Sequence, residues 1–423
     1  MKRIQSVILL GLLCLSMFLS FTPIINAQES SVDWWPTFHH DLTHAGSSNS
    51  EAPLTNQLLW NYTTGNSIDY ASPVVINGVV YVGSDDHNVY ALNAATGAYI
   101  WSYKTGNAVV STPAVANGVV YVGSQDHKVY ALNATTGAKI WSYGTGNKVE
   151  SSPAVVNGVV YVGSDDNKVY ALNAADGSKI WSYSTGNYVI SSPAVVNGVV
   201  YVGSEDNNVY ALNAASGSKM WSYPTGDQVD SSPTVVNGVV YIGSDDYNVY
   251  ALDSGTGGKI WSFGTGYYVA SGVAVANGVV YVGSQDNNLY ALNAATGSKI
   301  WSYPTGNEVE SSPAVVNGVV YVGSDDNNVY ALNATTSSTL WTYGTGNLVD
   351  SSPAVANGVV YVGSYDNSVY AFGSITLAQP SPPPAPEFPS QALALSLVAI
   401  MACVAVAAIA TKKKRTNGKI LQG

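Results

Sequence analysis

The phrase NGVVYVGS (once NGVVYIGS) begins at Asn77, Asn117, Asn157, Asn197, Asn237, Asn277, Asn317 and Asn357. The interval is 40 residues each time, through eight copies. A fixed period of this size marks one supersecondary unit, copied and stacked on its neighbours. The unit Ser151–Ile190 reads as four strands, SPAVV, GVVYVGS, VYALN and KIWSY. Asn-Gly separates the first two, and it is the pair best suited to a two-residue hairpin turn. The polar runs DDNK and AADG separate the others. No helical periodicity occurs within the unit.

VVYV and its equivalents lack polar alternation, so these strands are covered on both faces. Four-stranded sheets that cover one another predict an all-β, eight-bladed β-propeller of antiparallel blades. A linear solenoid would need polar caps at its ends, and neither end of this array is polar in that way. The eighth unit stops at Ser374 after three strands, whereas NQLLWNYTT (Asn56–Thr64) is a fourth strand with no unit before it. The N-terminal Trp strand therefore completes the last blade. The expected organisation is a signal peptide (1–27), a leader packing on the propeller (28–56) and the propeller itself (57–374). A Pro-rich spacer (375–390), a transmembrane helix (391–411) and a basic cytoplasmic tail (412–423) follow.

Several features support that division. Lys2 and Arg3 precede an apolar run, and Ile25-Asn26-Ala27 offers a cleavage site. Ala392–Ala410 is long enough to span a bilayer, and Lys412, Lys413, Lys414 and Arg415 follow it. The expectation is a single-pass protein, N-terminus outside, on the extracytoplasmic face of the plasma membrane. Pro386-Glu387-Phe388 before the span resembles the PEF-type sorting signal of archaeal surface proteins, which implies removal of the span by a sortase-like enzyme. Cys14 and Cys403 both fall outside the predicted ring, so neither a disulfide framework nor thiol chemistry is expected there.

ALNAATGAYIW (Ala91–Trp101) resembles the tryptophan-docking motif of the pyrroloquinoline-quinone-type propellers, A-x-D-x-x-T-G-x-x-x-W, with Asn at the third position in most copies and Asp only at Asp253. The segment Asp33–Ser48 resembles the leader before many such propellers. The resemblance implies that Trp60, Trp101, Trp141, Trp181, Trp221, Trp261, Trp301 and Trp341 pack against neighbouring blades near the motif glycine. The family includes quinoprotein dehydrogenases, an outer-membrane assembly lipoprotein and secreted proteins of unassigned role, so fold leaves function open. Its dehydrogenases share a cysteine pair, a calcium site and an arginine near the quinone. Here the only arginines are Arg3 and Arg415, and no cysteine lies between residues 15 and 402. Quinone is therefore not expected as cofactor, while calcium stays open.

No blade carries a Ser-His-Asp set, a phosphate-cradling glycine loop or a zinc-ligand spacing. Ser271-Gly272-Val273 in place of Ser-Ser-Pro, and Ser337 in place of a turn glycine, read as drift. Of 16 basic residues, seven lie in the signal and tail, leaving nine against 27 acids, a net of −18. That balance excludes nucleic acid as a partner. In a propeller, second-to-third-strand turns share a face with the blade-to-blade connections. Sorted so, 20 acids and four lysines fall on one face, while Asp176 and Asp253 fall on the other with five lysines. The acidic face is the expected working surface, for cations or a basic partner. Its register-matched aspartates, such as Asp166, read as turn acceptors. Its non-repeated acids Glu150, Asp230, Glu308, Glu310 and Asp350 are the binding candidates, with Tyr188, Tyr267 and Tyr268 as contact aromatics. His39, His40, Asp41 and His44 form the one local cluster with metal-ligand chemistry, although packing explains it as well. The expected function is a non-catalytic, membrane-tethered binding or scaffolding module, a monomeric ring with a protein or glycan partner. A quinone-dependent oxidoreductase and a glycan-binding lectin are the alternatives.

Overall fold

The computed structural model describes residues 33–373. The signal peptide, residues 28–32 of the leader, Ser374, the spacer, the apolar span and the basic tail lie outside the described residues. Among the described residues every regular element is a strand, and no helix is long and apolar enough to cross a membrane.

Each 40-residue unit forms one antiparallel sheet. In the third, Ala154–Val156 is innermost, followed outward by Val159–Ser164, Lys168–Asn173 and Lys179–Ser184. Asn157 and Gly158 have φ of 51° and 77°, the left-handed pair a tight hairpin requires. The two middle strands are buried on both sides, with Val160, Val162, Val169 and Leu172 fully enclosed. The outer strand is largely exposed apart from Trp181. Continuous apolar strands thus sit between neighbouring blades, as the missing alternation requires.

Eight such sheets occur, seven four-stranded and one extended by the short leader strand Ser47–Ser48. The first and last inner strands touch, so the ring is closed. Leu58–Thr63 supplies the outer strand of the last blade. It pairs with Ser368–Gly373 and sets Trp60 opposite Ala371, the register in which Trp181 stands opposite Ala171.

Adjacent blades are fastened by one repeated contact. Trp101 Nε1 donates to the Ala134 carbonyl of the next blade at 2.9 Å, and Tyr81 Oη of the same blade donates to that oxygen at 3.0 Å. The pair recurs around the ring, and Trp60 and Tyr361 of the last blade meet the Ala94 carbonyl of the first. The last blade lacks a turn between its third and outer strands, because the chain is open there. Pro53 takes its place, and its carbonyl accepts from Trp341 and Tyr321.

Beneath six of the eight indoles lies the motif glycine in a left-handed conformation. At Gly97 an added Cβ would stand 2.7 Å from the Trp60 ring. Ser337 occupies this position in the seventh blade at φ 56°, and its partner Trp301 is only partly buried, unlike the other docking tryptophans. The substitution therefore carries a cost that the repeat pattern alone conceals. Ser337→Gly should raise stability by about 0.5–1 kcal/mol in urea unfolding, by relieving a left-handed Cβ and letting Trp301 seat. Trp60→Ala should lower it by about 3–5 kcal/mol, since it empties a closed inter-blade slot on the one outer strand that joins its blade by hydrogen bonds alone.

Candidate functional site at the acidic channel mouth

The inner strands leave donors facing the channel, and the leader satisfies many of them. Trp35 and Val75 exchange backbone hydrogen bonds, and the amides of Val115, Val195, Val235, Val275 and Val315 donate to leader carbonyls from Pro36 to Gly46. The leader so girdles the inner edge of six blades and puts Phe38 under the channel. Phe38 stacks on His39 at 4.7 Å and meets His44 edge-on at 5.2 Å.

Above Phe38 a hydroxyl ring runs from blade to blade. The amide of Ser72 donates to Thr112 Oγ1, Thr112 to Ser152 Oγ, Ser152 to Ser192 Oγ and Ser192 to Ser232 Oγ. The ring resumes from Gly272 through Ser312 and Ser352 back to Ser72. Gly272 supplies no hydroxyl. A Cβ there would lie 2.8 Å from Ser312 Oγ, 3.3 Å from His39 and 3.4 Å from Phe38, so the next hydroxyl of the ring and the leader together occupy the space. The Ser-Gly-Val departure, read from sequence as drift, makes room for the leader.

The next ring up forms the mouth, with one residue from each connection. Glu150, Asp230, Glu310 and Asp350 share it with Val110, Ile190, Ala270 and Tyr70. Together with Phe38 and the hydroxyl ring they enclose a cup of about 380 Å³. Four of the five candidate acids therefore converge. The fifth, Glu308, stands outside the lining, and together with Glu310 and Asp325 it offers carboxylate oxygens within 4.8 Å of one another. The connection into the first blade is one residue longer than the others, since Ile68 occupies the anchoring place of Val189 while Ser72 matches Ser192. The extra residue lifts Asp69 to meet the Tyr365 hydroxyl and sends Tyr70 to Glu310 Oε2 at 2.9 Å.

The paired turn aspartates divide their work. Asp166 Oδ2 accepts the Gly146 amide from the preceding blade at 2.8 Å and the Tyr170 hydroxyl, and its equivalents do likewise. They are acceptors, as their repetition suggests, but they tie two blades rather than one turn. The preceding residues, Asp165, Asp245 and Asp325, have a buried Oδ1 with no hydrogen-bond partner, as do Asp230 and Asp350. Burial and nearby carboxylates push Asp230 up to about 8, Asp165 to about 7 and Asp245 to about 6. Glu310 is also raised, chiefly by burial. Lysines relieve this on one side only, where Lys148 meets Glu150 at 3.2 Å and Lys168 meets Asp166 at 3.4 Å.

The remaining candidates stand apart from the cup. Tyr267 and Tyr268 form an aromatic group with Tyr247, with centroids 4.4–5.5 Å apart, and Tyr188 is exposed on its own connection. His39 and His44 are buried, and each turns Nδ1 to a backbone carbonyl, that of His44 and of Pro233 respectively. Burial lowers them to about 3 and about 4. His40 bonds Asp33 at 2.9 Å, and Asp41 accepts from Thr43. His39 Nε2 and His40 Nδ1 are buried without a hydrogen-bond partner.

The architecture defines an eight-bladed, tryptophan-docked propeller with a leader-plugged channel. The chain belongs to the PQQ-like repeat family described as "Outer membrane protein assembly factor BamB", whose model matches residues 50–187, 125–262 and 245–376. No curated protein matches it. Among solved structures it is similar to BamB from Moraxella catarrhalis (19% identity, TM-score 0.66, covering 75% of this chain and 99% of that one). It is also similar to a europium-containing methanol dehydrogenase (15%, 0.70, 81% and 98%). A third is the quinohemoprotein alcohol dehydrogenase from Comamonas testosteroni (18%, 0.69, 80% and 80%). At these identities the likeness is one of fold.

The raised carboxyls make stability pH-dependent. A carboxyl whose folded pKa lies above its unfolded value near 4 adds stability that is complete below that value and lost as pH rises through the folded pKa. The melting temperature should fall between about pH 5 and pH 8. Asp230→Asn should flatten that fall and melt higher than the parent at pH 8.

Proposed function

We propose that this chain is a non-catalytic binding or scaffolding propeller that engages a cationic partner through its acidic mouth. The observation that carries the reading is the convergence of Glu150, Asp230, Glu310 and Asp350 on one cup. Past Lys168 no residue of this face is basic, because Lys179, Lys219, Lys259 and Lys299 all lie on the opposite one. Carboxylates crowded without counter-charge raise one another's cost of ionisation, and a bound cation lowers it. The apolar members of the mouth and the Phe38 floor suit a partner that brings a hydrocarbon stem with its charge, as a lysine side chain does.

The same chemistry supports a non-catalytic role. The mouth holds acids, hydroxyls and apolar groups, with no histidine, cysteine or arginine among its lining residues. An anionic cofactor would meet uncompensated negative charge there. We place the ring on the extracytoplasmic side of the plasma membrane, tethered by the C-terminal span, in keeping with the signal and stop-transfer patterns. The last described strand runs from Ser368 beside the acidic face to Gly373 at the opposite one.

Oligolysine should bind the purified protein saturably, with affinity falling steeply as salt is added. The double variant Glu150→Gln/Asp230→Asn should weaken binding by roughly tenfold in calorimetry. Absence of saturable binding, or binding indifferent to those changes, would remove the proposal.

A further inference from the structure

One sector of the mouth differs from the rest. Glu308 and Glu310 lie on the connection between the sixth and seventh blades, Asp325 in the second-to-third-strand turn of the seventh, and Asp350 on the connection to the eighth. The Asp325 amide donates to the Glu308 carbonyl at 3.0 Å, so turn and connection are fixed relative to each other. Glu308, Glu310 and Asp325 each offer an oxygen within 4.8 Å of the others. Asp350 is only 5% exposed, yet it lines the cup. Its carboxyl stands within hydrogen-bonding reach of Asp325, and Oδ1 of each is buried without a partner.

Two abutting carboxyls with orphaned oxygens need either a shared proton or a cation. The chain brings no cation of its own. No lysine or arginine occurs between Lys299 and Lys412, or between Arg3 and Lys104, so the seventh and eighth blades have none and the first has only Lys104, at its outer end. The polar neighbours are hydrogen-bond donors instead. Gln285 Nε2 donates to Glu310 Oε1 at 2.6 Å and Tyr70 to Glu310 Oε2 at 2.9 Å, which holds that carboxylate in one orientation. Tyr365 stands beside Asp350 and bonds Asp69. The donor set is all oxygen and strongly anionic, without nitrogen or sulfur ligands. Such a set suits a hard cation and not zinc or copper. Oxygens on opposite sides of a calcium ion, at its usual bond length of about 2.4 Å, stand about 4.8 Å apart, the limit within which these three fall.

We propose that Glu308, Glu310 and Asp325 form a binding site for one divalent cation of the calcium class, with the buried Asp350 carboxyl behind Asp325 as its positioning partner and water completing the shell. The inference deepens the reading of the acidic mouth as a cation-binding surface and rests on it. A bound ion would pin the connection that carries Glu308 and Glu310 to the Asp325 turn.

Terbium is the probe, because it replaces calcium and is sensitised by nearby tyrosine, here Tyr70 and Tyr365. Terbium titrated into the purified full chain should give tyrosine-sensitised luminescence that saturates at one ion per chain and is displaced by calcium. Asp350→Asn and Glu308→Gln should each weaken it by about tenfold or more. Glu308 is partly exposed, so its substitution leaves folding intact where that of Asp350 threatens it. Glu205→Gln, an acid of the same face outside the cluster, should leave affinity unchanged. No saturable luminescence, no weakening in Glu308→Gln, or equal weakening in Glu205→Gln would overturn the site. Oligolysine binding without terbium binding would remove the site and leave the proposed function intact. Terbium binding without oligolysine binding would remove the basic partner and leave the site.

Discussion

The ring depends on one contact, the carbonyl of each third-to-outer-strand turn accepting an indole N–H and a phenol O–H from the preceding blade. A wedge of sheet has two apolar faces and no other way to bury both than against its neighbours. The dispersion from a buried indole supplies most of the attraction, and the paired hydrogen bonds fix its direction. Repeated at every seam, the contact sets a constant angle between sheets, so the chain closes after eight. At the seam where the turn is missing, Pro53 provides the same carbonyl from the leader. The substitution of one segment for another at this atom shows what closure requires: an oxygen in the right place, whatever residue carries it.

Closure has an electrostatic result. Each unit adds its connection to the same mouth, so residues 40 apart in sequence become neighbours around one axis. A repeated acid is multiplied eightfold, and the fold answers by tying one aspartate of each pair to an amide of the preceding blade. The other aspartate, and the varied residues before Ser-Ser-Pro, have no such tie. Beyond the donors that meet Glu150 and Glu310, their charge is left to burial, to protons and to whatever cation the mouth meets. The proposed binding role follows from that imbalance, and it owes nothing to the dehydrogenases that share the architecture.

The strand pattern, the blade count and the closing role of Trp60 were legible because each follows from local residue order: a hairpin pair, an apolar run, a tryptophan at fixed spacing. The candidate acids were legible only as departures from the repeat. Glu308 and Glu310 look equivalent in sequence, yet they flank the buried Val309, and Glu310 alone lines the cup. Asp325 and Asp326 form one dipeptide, but Asp326 accepts the Gly306 amide while Asp325 keeps a bare oxygen. Gly272 looked like noise because its reason, Phe38 and His39, lies more than two hundred residues away.

The sequence by itself determined the period, the four-strand unit, the tryptophan seams and the sidedness of charge, since these depend on contacts within a unit or between a unit and its copy. Tertiary structure alone decided that the leader would plug the channel, that one inserted residue at Asp69 would turn Tyr70 into the mouth, and that four acids on separate connections would share a single cup. Those outcomes depend on distances across the ring. Such distances exist only once the circle is closed, because a linear chain holds no record of which of its distant segments will face one another.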